Sequence, residues 1–169
     1  LNQKAVARRY AKSIGKKYEE LNLIVVHLGG GISVGAHRKG LVIDVNNALN
    51  GEGPISPERA GTVPSEALAT LCFSGKYTLN EVKKMLHGKA GLAAYLGTSD
   101  MITIEEKAIE GKEPYKTLVA AMDYTVAKEI GAMFVALKGQ CDAIILTGGI
   151  AYSDYCVSDI KEQIEYLCK

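Results

Sequence analysis

The feature that most constrains the fold is an apolar segment that ends abruptly in three glycines. Residues 23–28 form a β-branched run that is broken only by His27, which is typical of a strand covered on both faces. Gly29, Gly30 and Gly31 follow, and residues 32–37 then alternate between apolar and small or polar types. A period of two indicates a strand with one buried face. The segment therefore predicts a hairpin whose turn carries no side chains.

Two physical explanations fit this glycine turn. Glycine adopts positive φ without strain, so glycines are favoured in tight hairpin turns. Glycine also lets another molecule approach the backbone closely and meet several N–H groups at once, which suits phosphate oxygens. The triplet alone favours the plain turn, and the choice depends on the rest of the chain.

Hydrophobic periodicity in the rest of the chain predicts an α/β domain. Thr78 with Glu81 three residues later predicts a capping box, and Thr98, Ser99 or Asp100 can cap the helix after it. The predicted elements are, in order, a helix from 1 to about 22, the hairpin, a strand at 41–45, an irregular stretch at 46–64, helices within 64–112, a long core helix at 115–137, a strand at 143–146, a glycine turn and a helix from about 153.

Composition narrows the class of partner. With 20 basic and 19 acidic residues the net charge is +1, which gives no electrostatic case for nucleic acid or an anionic membrane. No apolar run approaches the roughly 20 residues of a membrane helix. The cysteines lack metal-ligand spacing and are predicted to be reduced thiols of a cytoplasmic protein, namely Cys72, Cys141, Cys156 and Cys168. Small molecules are therefore the expected partners.

Short motifs along the chain carry a family resemblance. They are His27-Leu28-Gly29-Gly30-Gly31, Glu52-Gly53, Arg59-Ala60-Gly61, Ser99-Asp100 and Thr147-Gly148-Gly149-Ile150-Ala151. Together and in this order they resemble the acetate and butyrate kinase family of the actin, Hsp70 and sugar-kinase ATPases, the ASKHA superfamily. Its acetate kinases have Asn at the position of Gly30, so this residue and the run Ser56-Pro57-Glu58 resemble the butyrate kinases.

The resemblance implies a fold and a reaction. The fold is α/β and ribonuclease H-like, with a three-stranded antiparallel meander, a parallel fourth strand and flanking helices. The reaction is reversible transfer of the γ-phosphoryl group of ATP to butyrate or a related short- or branched-chain carboxylate, giving an acyl phosphate, with Mg²⁺ as the metal. Acetate kinase remains an alternative, as does a non-catalytic nucleotide-binding or assembly module of the actin/Hsp70 type.

The resemblance also implies roles for individual residues. Arg59 faces the transferred phosphoryl group, and His27 lies beside it as a hydrogen-bond donor. The N–H groups of the glycine turn bind the nucleotide phosphates, from Gly29, Gly30 and Gly31. The adenosine is bordered by Asp100 and Met101 and packs against the backbone of Gly148, Gly149, Ile150 and Ala151. Where the family commonly has an Arg after the adenosine-side Asp, this chain has Ile102.

Each of these residues also has a purely structural interpretation. Arg59 is a solvated charge or part of an ion pair, and His27 is a core histidine with satisfied hydrogen bonds. Asp100 is only a helix N-cap. Gly148 and Gly149 are only a close-packed turn between strand and helix. The shared order of the motifs favours the functional interpretation of Arg59 and of the two glycine turns.

The resemblance covers 1–169 as part of a C-terminal-type ASKHA domain with a helical insertion at about 64–112. The family also has an N-terminal domain and a further strand beyond position 169, which supply most of its metal-side ligands. We therefore expect the chain to be a fragment, and to be inactive alone. Without that further strand, the strand at 143–146 is an apolar edge, which predicts a homodimer or higher self-association.

Overall fold

The fold is built around one strand that is buried on both faces. The computed structural model describes residues 2–167, so Leu1, Lys169 and the predicted thiol of Cys168 lie outside the described residues. The sheet order is β3-β2-β1-β4, with β1 antiparallel to β2, β2 antiparallel to β3, and β1 parallel to β4. This confirms the predicted meander and parallel fourth strand. The strands are β1 (Asn22–Leu28), β2 (Ile32–Arg38), β3 (Leu41–Val45) and β4 (Ala143–Thr147).

The alternation of side chains along β1 divides the interior into two cores. Ile24 and Val26 are fully buried in the larger core, on the side of the long helices. Leu23 and Val25 are equally buried in a smaller core on the opposite face. Because successive side chains of a strand point to opposite faces, a strand with both faces covered needs the continuous apolar run that this sequence has.

Seven α-helices surround the sheet within the described residues. They are α1 (Asn2–Ser13), α2 (Ser65–Phe73), α3 (Leu79–Leu86), α4 (Leu92–Leu96), α5 (Met101–Ile109), α6 (Tyr115–Ala136) and α7 (Asp154–Ile164). Helix α6 crosses the sheet on the larger core and packs against α5 and α7, whereas α1 packs on the opposite face.

Local capping chemistry places several helix ends. The predicted capping box of Thr78 and Glu81 is present at the start of α3, and Asp100 caps α5. The prediction of one helix over the first 22 residues is wrong in its end, because α1 stops at Ser13 and Gly15 follows at φ +68°. A glycine in this left-handed conformation is a common helix terminator.

The irregular stretch after β3 is held to the sheet by one buried amide. Asn46 is 8% exposed, and its oxygen accepts a hydrogen bond from the Val34 N–H at 2.7 Å. Its nitrogen donates to the carbonyl oxygens of Ile32 and Glu52 at 3.0 and 2.8 Å. The start of this long stretch, which contains one short 3-10 helix at Ala48–Asn50, is therefore held to β2 by polar contacts.

Two further observations concern membrane-spanning helices and the cysteines. None of the helices from 2 to 167 combines the length and the apolar run that crossing a bilayer requires. Cys72 is exposed and Cys156 is fully buried, and both carry free thiols.

One acidic side chain lies inside the larger core. Asp123 of α6 is 1% exposed, and neither of its oxygens makes a hydrogen bond of ordinary geometry within the described chain. Burial, and secondarily the negative charge of Asp159 on α7, raises the pKa of Asp123 to about 8. Glu105 of α5 raises the pKa further and the Cys156 thiol of α7 opposes the shift. Asp123 is therefore mostly protonated at neutral pH.

This burial predicts a stability that falls as the pH rises. The unfolded chain releases the Asp123 proton near its ordinary pKa of 3.8, but the folded chain keeps it up to about pH 8. Between these values the free energy of unfolding loses up to about 1.4 kcal/mol per pH unit. The neutral Asp123→Asn variant lacks this loss, so its stability relative to the wild type should increase by about 3 kcal/mol from pH 5 to pH 8 in urea unfolding.

The matched control is Glu106→Gln, which neutralises an exposed carboxylate on α5. Its stability relative to the wild type should change little over the same pH range. An Asp123→Asn variant whose difference from the wild type is the same at pH 5 and pH 8 would contradict the raised pKa.

Candidate functional site

Two glycine turns meet where β1 and β4 end. The strands are parallel and in register, with His27 opposite Thr147, so their carboxyl ends lie at the same edge of the sheet. In α/β sheets this edge is the usual place for a ligand. Gly148 lies directly on the end of β1, where a Cβ would overlap the Leu28 carbonyl oxygen and lie 2.8 Å from its carbon. The close-packed interpretation of Gly148 is therefore correct for its backbone.

A cleft of about 690 Å³ opens above this edge. Its size is within the range of small-molecule and cofactor sites. It is lined by residues from the glycine turn after β1, the start of α5 and the turn after β4. Six of the residues singled out in the sequence line it, namely Gly29, Gly30, Asp100, Met101, Gly149 and Ile150.

The backbone of the first glycine turn is not that of a two-residue hairpin turn with positive φ. None of its three glycines has positive φ, so the backbone conformation does not require glycine there. Within the described chain, the N–H groups of Gly29, Gly30 and Gly31 donate to no protein acceptor. The turn therefore presents three free donors at the end of a buried strand, as an anion site requires.

A polar side chain faces the open side of each glycine. A Cβ at Gly29 would lie 3.1 Å from His27 Nε2, and one at Gly30 would lie 3.1 Å from Glu58 Oε2. A Cβ at Gly31 would lie 3.6 Å from the Ala48 carbonyl oxygen and from Arg59 Cγ, and 3.7 Å from Arg59 Nε. A histidine, a carboxylate and a guanidinium thus surround the turn.

Arg59 lies next to the turn rather than in the lining of the cleft. Its Nη1 donates to the Glu58 carbonyl oxygen at 3.2 Å and lies 3.5 Å from the Glu58 carboxylate. Its Nε is buried and makes no hydrogen bond to the described residues. A buried guanidinium donor without a partner is costly, so this position suits an anionic ligand that supplies the acceptor.

The loop that carries Arg59 is bound to the glycine turn through a single carbonyl. The Gly30 oxygen accepts hydrogen bonds from Ser56 Oγ at 2.8 Å and from the Glu58 N–H at 3.0 Å. Ser56 Oγ also accepts from the Arg59 N–H at 3.1 Å. The guanidinium therefore keeps a fixed place relative to the turn.

His27 makes one side-chain hydrogen bond among the described residues, between its Nδ1 and the Asn2 amide nitrogen at 3.0 Å. Its Nε2 lies 3.1 Å from the Cβ position of Gly29. The imidazole ring therefore has its Nε2 side next to the glycine turn.

Away from the glycine turn, the cleft is lined by a polar residue at the start of α5 and by exposed apolar side chains. Asp100 caps α5, accepting from the Ile102 N–H at 3.3 Å and from Thr103 Oγ1 at 2.5 Å, and the Thr103 bond lowers the pKa of Asp100. The N-cap interpretation of Asp100 is therefore confirmed, and the same residue lines the cleft. Ile102 and Tyr152 are 72% and 93% exposed and line the same cleft.

Sequence reasoning assigned roles to some residues that lie elsewhere and missed others. Ala151 is half-buried against the larger core and does not line the cleft. Glu58 belongs to the run Ser56-Pro57-Glu58 and Tyr152 directly follows the motif that ends at Ala151, but neither residue received a predicted role from the sequence. Glu105 also lines the cleft, and its spacing of four from Met101 on α5 could have indicated this.

The described residues were also compared with the requirements of a metal ion. No three His, Cys, Asp or Glu side chains from 2 to 167 lie close enough together to hold one. The cleft is lined by the carboxylates of Asp100, Glu105 and Asp154, which do not group closely enough to hold a metal ion, and the donors for an anion are the N–H groups of the glycine turn and the adjacent Arg59. The described part of the chain therefore does not fit a protein cage for Mg²⁺.

Comparison with known proteins gives consistent results. The model of the Acetokinase family matches residues 2–168. A probable butyrate kinase of Phocaeicola vulgatus is 74% identical over 167 residues, which are 99% of this chain and 47% of that protein. Butyrate kinase 1 of Clostridium acetobutylicum is 56% identical over the same shares. The chain thus spans about half the length of these relatives.

A solved structure has the same fold. The crystal structure of Porphyromonas gingivalis acetate kinase superposes with a TM-score of 0.86 at 25% identity, over 96% of this chain and 41% of that chain.

The packing of Gly148 predicts a large loss of stability on substitution. Gly148 has φ +97°, and the methyl group of Gly148→Ala would lie against the Leu28 backbone. Neither of these two backbone segments can move away without disturbing β1. We expect the free energy of unfolding to fall by about 3 kcal/mol or more in urea titration. Gly131→Ala in α6 is the control, because nothing lies within 4 Å of its Cβ position and Ala favours helix. Equal stability of the two variants would contradict the close packing.

Proposed function

The chain belongs to the acetokinase family, and on this premise we propose that it supplies the nucleotide site and the phosphoryl-facing arginine of a carboxylate kinase. Its fold is the ribonuclease H-like ASKHA type. The proposed reaction transfers the γ-phosphoryl group of ATP to butyrate or a related short- or branched-chain carboxylate. The names of the two relatives support butyrate over acetate, as do Gly30 and Glu58 in this sequence.

We place ATP along the cleft at the carboxyl ends of β1 and β4. The phosphates meet the free N–H groups of the glycine turn, Gly29 to Gly31. The adenosine lies between the start of α5 and the turn after β4, where Ile102 and Tyr152 offer exposed apolar surface and Gly149 has nothing within 4 Å of its Cβ position. A purine stacks on such surfaces without needing the arginine that the family commonly has after Asp100.

The buried Nε of Arg59, which lacks a partner, is the observation that carries the chemical part of this proposal. A carboxylate oxygen of the substrate attacks the γ-phosphorus, and the bond from that phosphorus to the oxygen bridging to ADP breaks. ADP leaves with the electron pair, and the product is an acyl phosphate. Arg59 donates to oxygens of the transferred group, whose charge is redistributed in the transition state. His27 Nε2–H is the second donor, beside Gly29.

Mg²⁺ would neutralise phosphate charge in such a reaction. We assign no residue of this chain as its ligand. The inactivity of the isolated 169-residue chain stays a prediction.

We propose three further properties. The chain forms part of a C-terminal-type ASKHA domain, with residues 64–112 as a helical insertion, and the protein is cytoplasmic. It also associates with itself. Two surfaces support association, namely the open edge of β4 and the exposed apolar face of α2 and α3, where Phe73 and Leu79 are 92% and 68% exposed.

Nucleotide titration tests the proposed site. We expect the chain to bind ATP and ADP in isothermal titration calorimetry. Arg59→Ala should weaken ATP binding about tenfold or more, and ADP binding much less, because the guanidinium faces the γ-phosphoryl group that only ATP carries.

Arg38→Ala is the control, since Arg38 is an exposed arginine at the far end of β2. It should bind both nucleotides like the wild type. ATP affinity that survives Arg59→Ala would favour the nucleotide-binding module over the kinase, and a chain that binds neither nucleotide would overturn the site itself.

Light scattering tests the association. The wild type should exceed the mass of one chain as its concentration rises. Phe73→Glu should restore the monomer if the α2–α3 face carries the contact, and Val135→Glu, at another exposed apolar position on α6, should not. A wild-type chain that stays monomeric at high concentration would contradict self-association.

A further inference from the structure

The carboxylate of Glu58 occupies the space that a side chain at position 30 would take. A Cβ at Gly30 would lie 3.1, 3.3 and 3.8 Å from Oε2, Cδ and Cγ of Glu58. The first two distances are tighter than ordinary van der Waals contact, so the carboxylate would have to move by a few tenths of an ångström. Gly30 and Glu58 therefore compete for one volume at the entrance to the glycine turn.

Backbone conformation does not explain the glycine at position 30. Its φ is not in the left-handed region, so an L-amino acid can adopt it. The three heavy atoms nearest to the Cβ position all belong to Glu58, and the third of them is 3.8 Å away. Glu58 is therefore the nearest neighbour that a side chain at position 30 would meet.

Glu58 also connects three parts of the site. Its N–H donates to the Gly30 oxygen at 3.0 Å, and its Oε1 accepts from Ser99 Oγ, at the start of α5, at 3.3 Å. Its Oε2 lies 3.5 Å from Arg59 Nη1. Glu58 thus contacts the glycine turn through its backbone N–H, and it contacts Ser99 and Arg59 through its carboxylate.

We propose that Glu58 is a positioning residue that replaces a side chain at position 30. Its carboxylate holds the Arg59 guanidinium and the start of α5 against the glycine turn, and Gly30 is the matched partner that leaves room for it. The pairing is a property of the unliganded chain. Its effect on ATP binding rests on the proposed function.

The pairing predicts that substitutions at positions 30 and 58 are not additive. Asn at position 30 displaces the carboxylate when Glu58 is present, but has free space when Glu58 is absent. Residues that share a volume usually show such coupling, whereas independent sites give the sum of their effects.

The experiment is a double-mutant cycle of Gly30→Asn and Glu58→Ala, with ATP affinity measured by calorimetry and the melting temperature of the unliganded chain as a second measurement. We expect Gly30→Asn to weaken ATP binding about tenfold and Glu58→Ala about fivefold, and the double variant to bind at least as well as Glu58→Ala alone. Gly30→Asn should lower the melting temperature by about 3 °C in the wild type and by less than about 1 °C without Glu58.

Two single variants separate positioning from other effects. Glu58→Gln keeps the shape of the side chain and one of its two acceptor oxygens, so it should lose less ATP affinity than Glu58→Ala. Glu66→Ala removes an exposed carboxylate from α2 and should leave affinity and melting temperature unchanged.

Two outcomes overturn the proposal. The first is a double variant whose ATP affinity falls by the product of the two single effects, about fiftyfold, while Gly30→Asn lowers the melting temperature equally with and without Glu58. The other is a Glu58→Gln variant as weak as Glu58→Ala, because the charge would then matter rather than the position. If no variant and no wild type binds ATP, the proposed function fails, and the melting temperatures still decide the pairing of Gly30 with Glu58.

Discussion

The close approach of two backbone turns at the end of β1 is the constraint on which the rest of the site depends. Gly148 rests on the Leu28 backbone, so the turn after β4 reaches the turn after β1 with no side chain between them. This contact is possible only because β1 and β4 are parallel and in register. The end of the doubly covered strand lies at the base of the cleft, and the start of α5 and the turn after β4 form its walls.

The irregular stretch after β3 shows how a loop can carry a fixed functional group. Asn46 anchors one end of it to β2, and the Gly30 carbonyl holds the segment before Arg59. The arginine is therefore fixed by hydrogen bonds to the same turn that binds the phosphates in the proposed site. Its buried Nε has no acceptor among residues 2–167, a cost that a bound anion would remove.

Much of the architecture could be predicted because its signals are local. The apolar run of β1, the alternation of β2, and the caps at Thr78 and Asp100 each depend on residues within a few positions. The end of α1 was predicted less well, because apolar residues continued at helical spacing beyond Gly15. The conformation of that glycine, which periodicity does not register, ended the helix.

The sequence by itself determined the strand and helix order, and its motifs indicated the two glycine turns and Arg59. Only the tertiary structure decided why those glycines are there. Gly148 avoids the backbone of Leu28, and Gly30 leaves room for Glu58, which is 28 positions further along the chain. The physical reason is that the need for a missing Cβ arises from neighbours distant in sequence, whose positions exist only after the strands have paired and the loop has folded over the turn.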